Sequence, residues 1–149
     1  MNTEPIPEAR VECTLQNDPR LIAGAGAIAA HMARHAGLTE HAQRDFHAAA
    51  QEACREALQS CGAKRSGRAT ISLAATRYAD RVEVAVEYPE KKRAAGSARR
   101  RAAKAHGDSR AAGPPASELV DHIERTMQAG RCRVTLVKFS RVARPTSRA

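Results

Sequence analysis

The chain has 149 residues, a formal net charge of +9 and a mean hydropathy of −0.52. This length suits one domain with a modest core. With no Trp, two Phe and two Tyr, that core has to be built from Ala, Val, Leu and Ile. The longest apolar run is too short to span a membrane and no signal peptide is recognisable, so we expect a cytoplasmic protein with no membrane partner. The four cysteines form no CxxC pair, and free thiols are their expected state.

The first predicted elements are a strand and a helix. Residues 10–15 alternate apolar and polar side chains, which is typical of a half-buried strand. An Asp-Pro pair then supplies an N-cap and a first helical residue, and the apolar spacing predicts a helix over about 19–36. Gly24 and Gly26 lie inside this helix, where each costs about 1 kcal/mol relative to alanine, and they would permit close packing against a neighbour.

The segment 39–61 is the strongest helical signal in the chain. Its apolar residues recur every three to four positions, so one face is expected to be buried. Asp45, Glu52 and Glu56 form an acidic stripe on the opposite side. A short connection around Gly37 joins this helix to the first one, which predicts an antiparallel pair.

Residues 70–76 and 82–88 are predicted to form a β-hairpin, because both segments alternate apolar and polar side chains. In the second segment the valines and Tyr88 share one face. Glu83 and Glu87 lie on the other face.

The rest of the chain is predicted to contain an insertion, a helix and a strand. Residues 89–114 have no apolar periodicity and are expected to be disordered, whereas the spacing over 116–129 predicts a helix and the alternation over 131–139 a strand. The order β-α-α-β-β-loop-α-β predicts an α/β two-layer sandwich, with a mixed sheet covered by helices on one face. We expect a single domain over 10–140, with flexible tails at 1–9 and 141–149.

Positive charge is concentrated in the predicted insertion and the tail. Residues 91–110 contain eight basic side chains and one acidic one, and the tail after Ser140 adds three arginines. The remaining chain is close to neutral. The basicity therefore bears on binding partners rather than on the fold.

The order of elements resembles that of the anti-sigma-factor serine/threonine kinases, which belong to the histidine-kinase-like ATPase superfamily. The stretch AAAQEACREALQSC is similar to the first nucleotide motif of this family. The stretch GRCRVTLVKF is similar to its last strand, which usually follows a glycine-rich turn. The resemblance covers roughly residues 11–138. It implies the histidine-kinase-like ATPase fold, Mg-ATP as cofactor and phosphoryl transfer to a serine.

The resemblance also implies roles for four residues. By position, Glu52 matches the catalytic glutamate, and Glu56 takes the place of the asparagine that holds Mg²⁺, so that it would have both a cofactor-binding and a metal-binding role. Glu87 is the nearest substitute for the aspartate that reads adenine, but no spaced glycines follow it. Gly113 is the one glycine of the phosphate loop, and the two prolines after it cannot donate amide hydrogens to phosphate. With two of three nucleotide motifs degenerate, the absence of a cofactor is favoured over Mg-ATP.

Three functions follow from these observations, and the first is preferred. The first is a regulatory protein with an impaired ATP site that acts mainly by binding a protein. The resemblance implies a sigma factor or an anti-sigma antagonist as that partner, and a homodimer is also open. The second is a nucleic-acid-associated protein whose basic loop binds phosphate backbones. The third is an active Mg-ATP-dependent serine kinase of an anti-sigma antagonist. The basic loop residues concerned are Lys91, Lys92, Arg93, Arg99, Arg100, Arg101 and Lys104.

The same residues also have plainer explanations. Glu52 and Glu56 can form a solvated helix face beside Arg55. The basic loop can equally bind an acidic protein or be a charge-rich insertion without a partner. His31 and His35 have the spacing of a two-histidine metal site, but no third ligand lies near them in sequence, so zinc is not predicted.

Overall fold

A computed structural model of the chain describes residues 4–16, 18–61, 70–89 and 114–140. These ranges contain five strands and three helices. In chain order they are β1 (Ala9–Gln16), α1 (Arg20–His35), α2 (Glu40–Ser60), β2 (Thr70–Arg77), β3 (Arg81–Pro89), α3 (Ala116–Leu119), β4 (His122–Gln128) and β5 (Arg131–Phe139). Most of the predicted insertion lies outside the described residues, as does the tail after Ser140.

The strands form one open sheet in the order β1-β2-β3-β5-β4, and every neighbouring pair is antiparallel. The α/β class is confirmed, but the mixed sheet was a wrong prediction. The reason lies in the number of passes that each connection makes. Two antiparallel helices between β1 and β2 return the chain to the end at which β1 finished, so β2 runs back along β1. The predicted mixed sheet came from the single helix expected before the last strand, which would have made that strand parallel to β3. Strand β4 stands in that place, and β5 is antiparallel to β3.

The predicted helix over 116–129 is wrong for most of its length. Only Ala116–Leu119 is helical, and His122–Gln128 is strand β4. Ile123 and Met127 are four residues apart, a spacing that fits one face of a helix and also one face of a strand. Pairing with β5 decides between the two, since Ile123 lies opposite Leu136 in the ladder. The observed order is therefore β-α-α-β-β-α-β-β within the described residues.

The core lies between the helix pair and one face of the sheet. The helices contribute mainly alanines, so their backbones approach closely, and the strands contribute branched aliphatic residues. Phe46 of α2 is fully buried among them. The other face of the sheet has no described helix over it. The largest fully buried side chains are those of Phe46, Ile71, Leu73, Leu136, Val82, Val84, Val86 and Cys54.

The ends of the two long helices follow from their capping residues. Thr39 caps α2, because its hydroxyl oxygen accepts a hydrogen bond from the backbone N–H of Ala42 at 3.2 Å. Gly37 follows α1 with a φ of 75°, the left-handed conformation in which glycine has no steric penalty. Helix α1 begins at Arg20, one residue later than predicted, so Pro19 and not Asp18 is its N-cap residue. Asp18 still accepts a hydrogen bond from the backbone N–H of Arg20 at 3.0 Å.

Candidate functional site

The acidic stripe of α2 lies at the flank of the helix, where the side chains of Asp45, Glu52 and Glu56 are partly exposed. Glu52 is bonded along the same helix to Arg55, with its Oε2 2.8 Å from the guanidinium Nη1. Asp45, earlier in the stripe, lies 3.4 Å from the ring nitrogen Nε2 of His41. The helical spacing thus places the carboxylates on one surface, as predicted, and each of these two has a basic neighbour.

Glu56 is bonded to a residue far away in sequence. Its Oε2 accepts a hydrogen bond from Nη2 of Arg125 on β4 at 2.8 Å. Arg125 reaches α2 because it lies opposite Val134 in the ladder, and Val134 is a core residue on the helix-bearing face of the sheet. Burial opposes the charge of Arg125, but the hydrogen bond and charge of Glu56, together with Tyr88 and Cys132, raise the pKa of Arg125 above its ordinary value.

Tyr88 lies near the end of β3, close to the ion pair between Glu56 and Arg125. Its side chain is only 4 % exposed, and it takes the helix-facing position that alternation assigns to it after Val84 and Val86. Burial, with a further contribution from neighbouring Cys132, raises the pKa of Tyr88 further above neutral pH. An uncharged phenol therefore lies at the end of β3 on the helix side.

Glu87 lies on the opposite face of the sheet from Glu52 and Glu56. Alternation along β3 directs it away from the helices, and its Oε1 accepts a hydrogen bond from Nε of Arg131 at 2.6 Å. The structure thus brings Glu52 and Glu56 onto one helix surface and leaves the thickness of the sheet between them and Glu87. Gly113 lies outside the described residues, as do the seven basic residues of the predicted loop.

The face of the sheet opposite α1 and α2, named the helix-free face because no helix of the described residues covers it, has two shallow depressions that were not anticipated from the sequence. One has a volume of about 350 Å³ and lies over β1, β2 and β3, and the other has a volume of about 540 Å³ and lies over β3, β5 and β4. Arg133 lines both depressions, and among the described residues its guanidinium has no hydrogen-bond or ion-pair partner. The sequence already indicated a polar face of the sheet, because apolar and polar residues alternate along the strands and the polar ones share one face.

The cysteines are free thiols, as predicted. Burial is the main cause that raises the pKa of Cys54 to about 12, and the nearby thiol of Cys13 contributes. The rings of His31 and His35 lie 4.4 Å apart between their centroids. Within the described ranges, no group of three or more His, Cys, Asp or Glu side chains is placed to hold a metal ion.

Of the helices in the described part of the chain, none combines the length and the apolar character needed to cross a membrane. No protein-family model matches the sequence, and no curated protein is significantly similar to it. Inferences about function therefore rest on the residues of this chain and on their geometry.

Proposed function

We propose that this chain is a regulatory protein that acts by binding a protein partner, with the histidine-kinase-like ATPase fold and an impaired nucleotide site. By resemblance, the partner is a sigma factor or an anti-sigma antagonist. Two features of the fold support the relationship. A strand is followed by a helix pair and a hairpin, and the last strand follows a turn at Ala129 and Gly130 in which both residues have positive φ angles of 51° and 76°.

The observation that carries the proposal is the ion pair between Glu56 and Arg125. Glu56 takes the place of the family's Mg²⁺-binding asparagine, and its carboxylate is bonded to a guanidinium at 2.8 Å. A metal ion would have to displace that cation and then remain beside its positive charge. Glu87, the substitute for the adenine-reading acid, lies on the other side of the sheet. Of the three carried-over residues that the structure describes, Glu52 and Glu56 share a surface and Glu87 does not, which supports recognition over phosphoryl transfer.

Calorimetry with Mg-ATP tests the impaired nucleotide site. We expect no saturable binding to the wild-type protein, and none to Glu56→Gln, which keeps the shape of the side chain and removes its charge. Saturable binding of Mg-ATP that Glu56→Gln abolishes would overturn the proposal and favour an active serine kinase, in which Arg125 would contact phosphate.

Binding to purified sigma factors and anti-sigma antagonists of the source organism tests the partner. Charge reversal of Glu52 on α2 and of Glu124 on the helix-free face gives a matched pair of variants. We expect Glu52→Lys to weaken binding at least tenfold and Glu124→Lys to leave it within twofold, because the acidic stripe then forms the contact. Loss with Glu124→Lys alone would place the contact on the helix-free face. Absence of binding to every candidate would refute a partner of this class.

Nucleic-acid binding is the second candidate, and the charge distribution favours it. The described residues contain 11 Lys and Arg against 14 Asp and Glu, so the net positive charge of the chain comes from residues outside the described ranges. Retention on duplex DNA across a salt series, compared with a variant that lacks residues 91–110, tests this candidate. Binding that falls steeply with salt and disappears with the deletion would support it.

A further inference from the structure

Helix α1 carries two histidines one turn apart, His31 and His35, on the side that faces away from the core. Both are exposed, whereas Ala29, Met32 and Ala33 of the same helix are buried. Side chains four positions apart on a helix are neighbours on its surface, so the two imidazoles share one strip of α1. The centroids of the two rings are 4.4 Å apart, and the ring planes are tilted by 58°, so the rings are not stacked face to face.

We propose that His31 and His35 chelate one divalent late transition-metal ion, nickel or copper, with water in the remaining coordination positions. One ring nitrogen of each histidine binds the metal, at a bond length of about 2.0–2.1 Å. A right angle between the two bonds, as in the square-planar or tetragonal geometry of Ni²⁺ and Cu²⁺, separates the ring centroids by about 4.5 Å. The tetrahedral angle of a zinc site separates them by about 5.2 Å. The observed 4.4 Å therefore fits nickel or copper better than zinc.

The surroundings of the pair leave both imidazoles available to a metal ion. Among the described residues, neither histidine side chain has a hydrogen-bond or ion-pair partner. Helix α1 contains no Asp or Glu, so this helix offers nitrogen ligands only. Imidazole suits nickel and copper, and for a given set of ligands both ions stand near the high end of the order of affinities. Two protein ligands are fewer than a typical zinc site has, which also favours nickel or copper.

The end of α1 is an electrostatically favourable place for a cation. His35 is the last residue of the helix, and the carbonyl groups of the last turn carry a partial negative charge. Arg34 lies in the same turn and opposes the binding of a second positive charge. Arg77 donates from Nη1 to the carbonyl oxygen of His35 at 3.2 Å, but its charge is balanced by an ion pair with Glu8. The metal site is separate from the acidic stripe of α2 and does not depend on the proposed function.

Calorimetric titration of the full-length protein with nickel chloride tests the proposal, because Ni²⁺ does not oxidise the free thiols. We expect saturable binding of one equivalent. His31→Ala and His35→Ala should each weaken it at least tenfold, since a single imidazole cannot chelate the ion, and Zn²⁺ should bind the wild-type protein more weakly than Ni²⁺. Saturating Ni²⁺ should also raise the melting temperature of the wild-type protein and of neither variant, and EDTA should reverse the rise. Circular dichroism of each variant checks that it is folded.

His41 on α2 provides the matched control. It is an exposed histidine with Asp45 four positions later, and its Nε2 lies 3.4 Å from the carboxylate of Asp45, so one imidazole of the pair is replaced by an acid. His41→Ala should leave Ni²⁺ binding within twofold. A wild-type protein that does not bind Ni²⁺ would overturn the proposal, as would binding that survives both His31→Ala and His35→Ala. Zn²⁺ binding that is tighter than Ni²⁺ binding and is lost in His31→Ala would overturn the assigned metal.

Discussion

Two glycines in α1 allow helix propensity to be separated from helix packing. Gly24 is exposed, and a Cβ atom added there would meet no atom within 4 Å. Gly26 is buried, and its added Cβ would lie 2.8 Å from Cγ of Gln51 and 2.9 Å from Nε2 of His47, both on α2. The close approach of the helix pair that the sequence suggested thus occurs at Gly26 and not at Gly24.

The two alanine substitutions should therefore have opposite signs. Alanine is favoured over glycine inside a helix by about 0.8–1.0 kcal/mol. Gly24→Ala should gain this amount, which raises the melting temperature by about 2–4 °C in a chain of this size. Gly26→Ala gains the same propensity but forces two side chains of α2 to move. Because overpacking costs about 1–3 kcal/mol, we expect a net loss of up to about 2 kcal/mol.

Urea denaturation of both variants measures these free energies of unfolding. The variant Gln51→Ala provides a further control, since it removes the Cγ atom that the new methyl group would overlap. Combined with Gly26→Ala it should cost less than the sum of the two single changes. If Gly26→Ala stabilises the protein as much as Gly24→Ala does, α1 and α2 do not approach as described, and the reasoning is refuted.

Three further predictions concern the hairpin turn, a buried thiol and the core. Ala129 has a φ of 51° in the two-residue turn before β5, so Ala129→Asn should raise the free energy of unfolding by up to about 1 kcal/mol, whereas Gly130→Ala should lower it; urea denaturation checks both. The pKa of Cys54 is raised from 9.0 to about 12, so the folded protein keeps this proton after the unfolded chain has lost it. Stability should therefore fall as the pH rises from 9 towards 12, and the fall should be smaller in Cys54→Ala; identical pH profiles would contradict this. Phe46→Ala should lower the free energy of unfolding by about 3–5 kcal/mol, because the ring is fully buried in the core, and a loss below about 1 kcal/mol would contradict its placement there.

The helix pair and the first hairpin could be predicted from the sequence almost to the residue. The prediction of 39–61 compares with Glu40–Ser60 in the structure, and that of 82–88 with Arg81–Pro89. In both segments the periodicity runs over enough residues to exclude the alternative, and local capping chemistry such as that of Thr39 marks the ends. The direction of the last strand could not be predicted in this way. A helix over 116–129 would have made that strand parallel to β3, whereas strand β4 adds one more pass and makes β5 antiparallel to β3.

The face on which Glu87 lies was already contained in the alternation along β3. The sequence places the valines and Tyr88 on one face and Glu87 on the other, so Glu87 could not share a site with α2 if Tyr88 faced the helices. The positional match to a family motif conflicted with that alternation. The structure agrees with the alternation, because side-chain direction in a strand is set by backbone geometry whatever function the residue has.

The partner of Glu56 was hidden by the error in secondary structure over 116–129. If residues 116–129 formed a helix, the neighbours of Arg125 would be the side chains three and four positions away on that same helix. In a strand at the edge of the sheet, Arg125 extends on the helix-bearing face and reaches across to α2. The ion pair that weighs against a metal site thus exists because this segment is a strand. A sequence with Ile123 and Met127 four residues apart does not determine that outcome, since the pairing that decides it comes from β5.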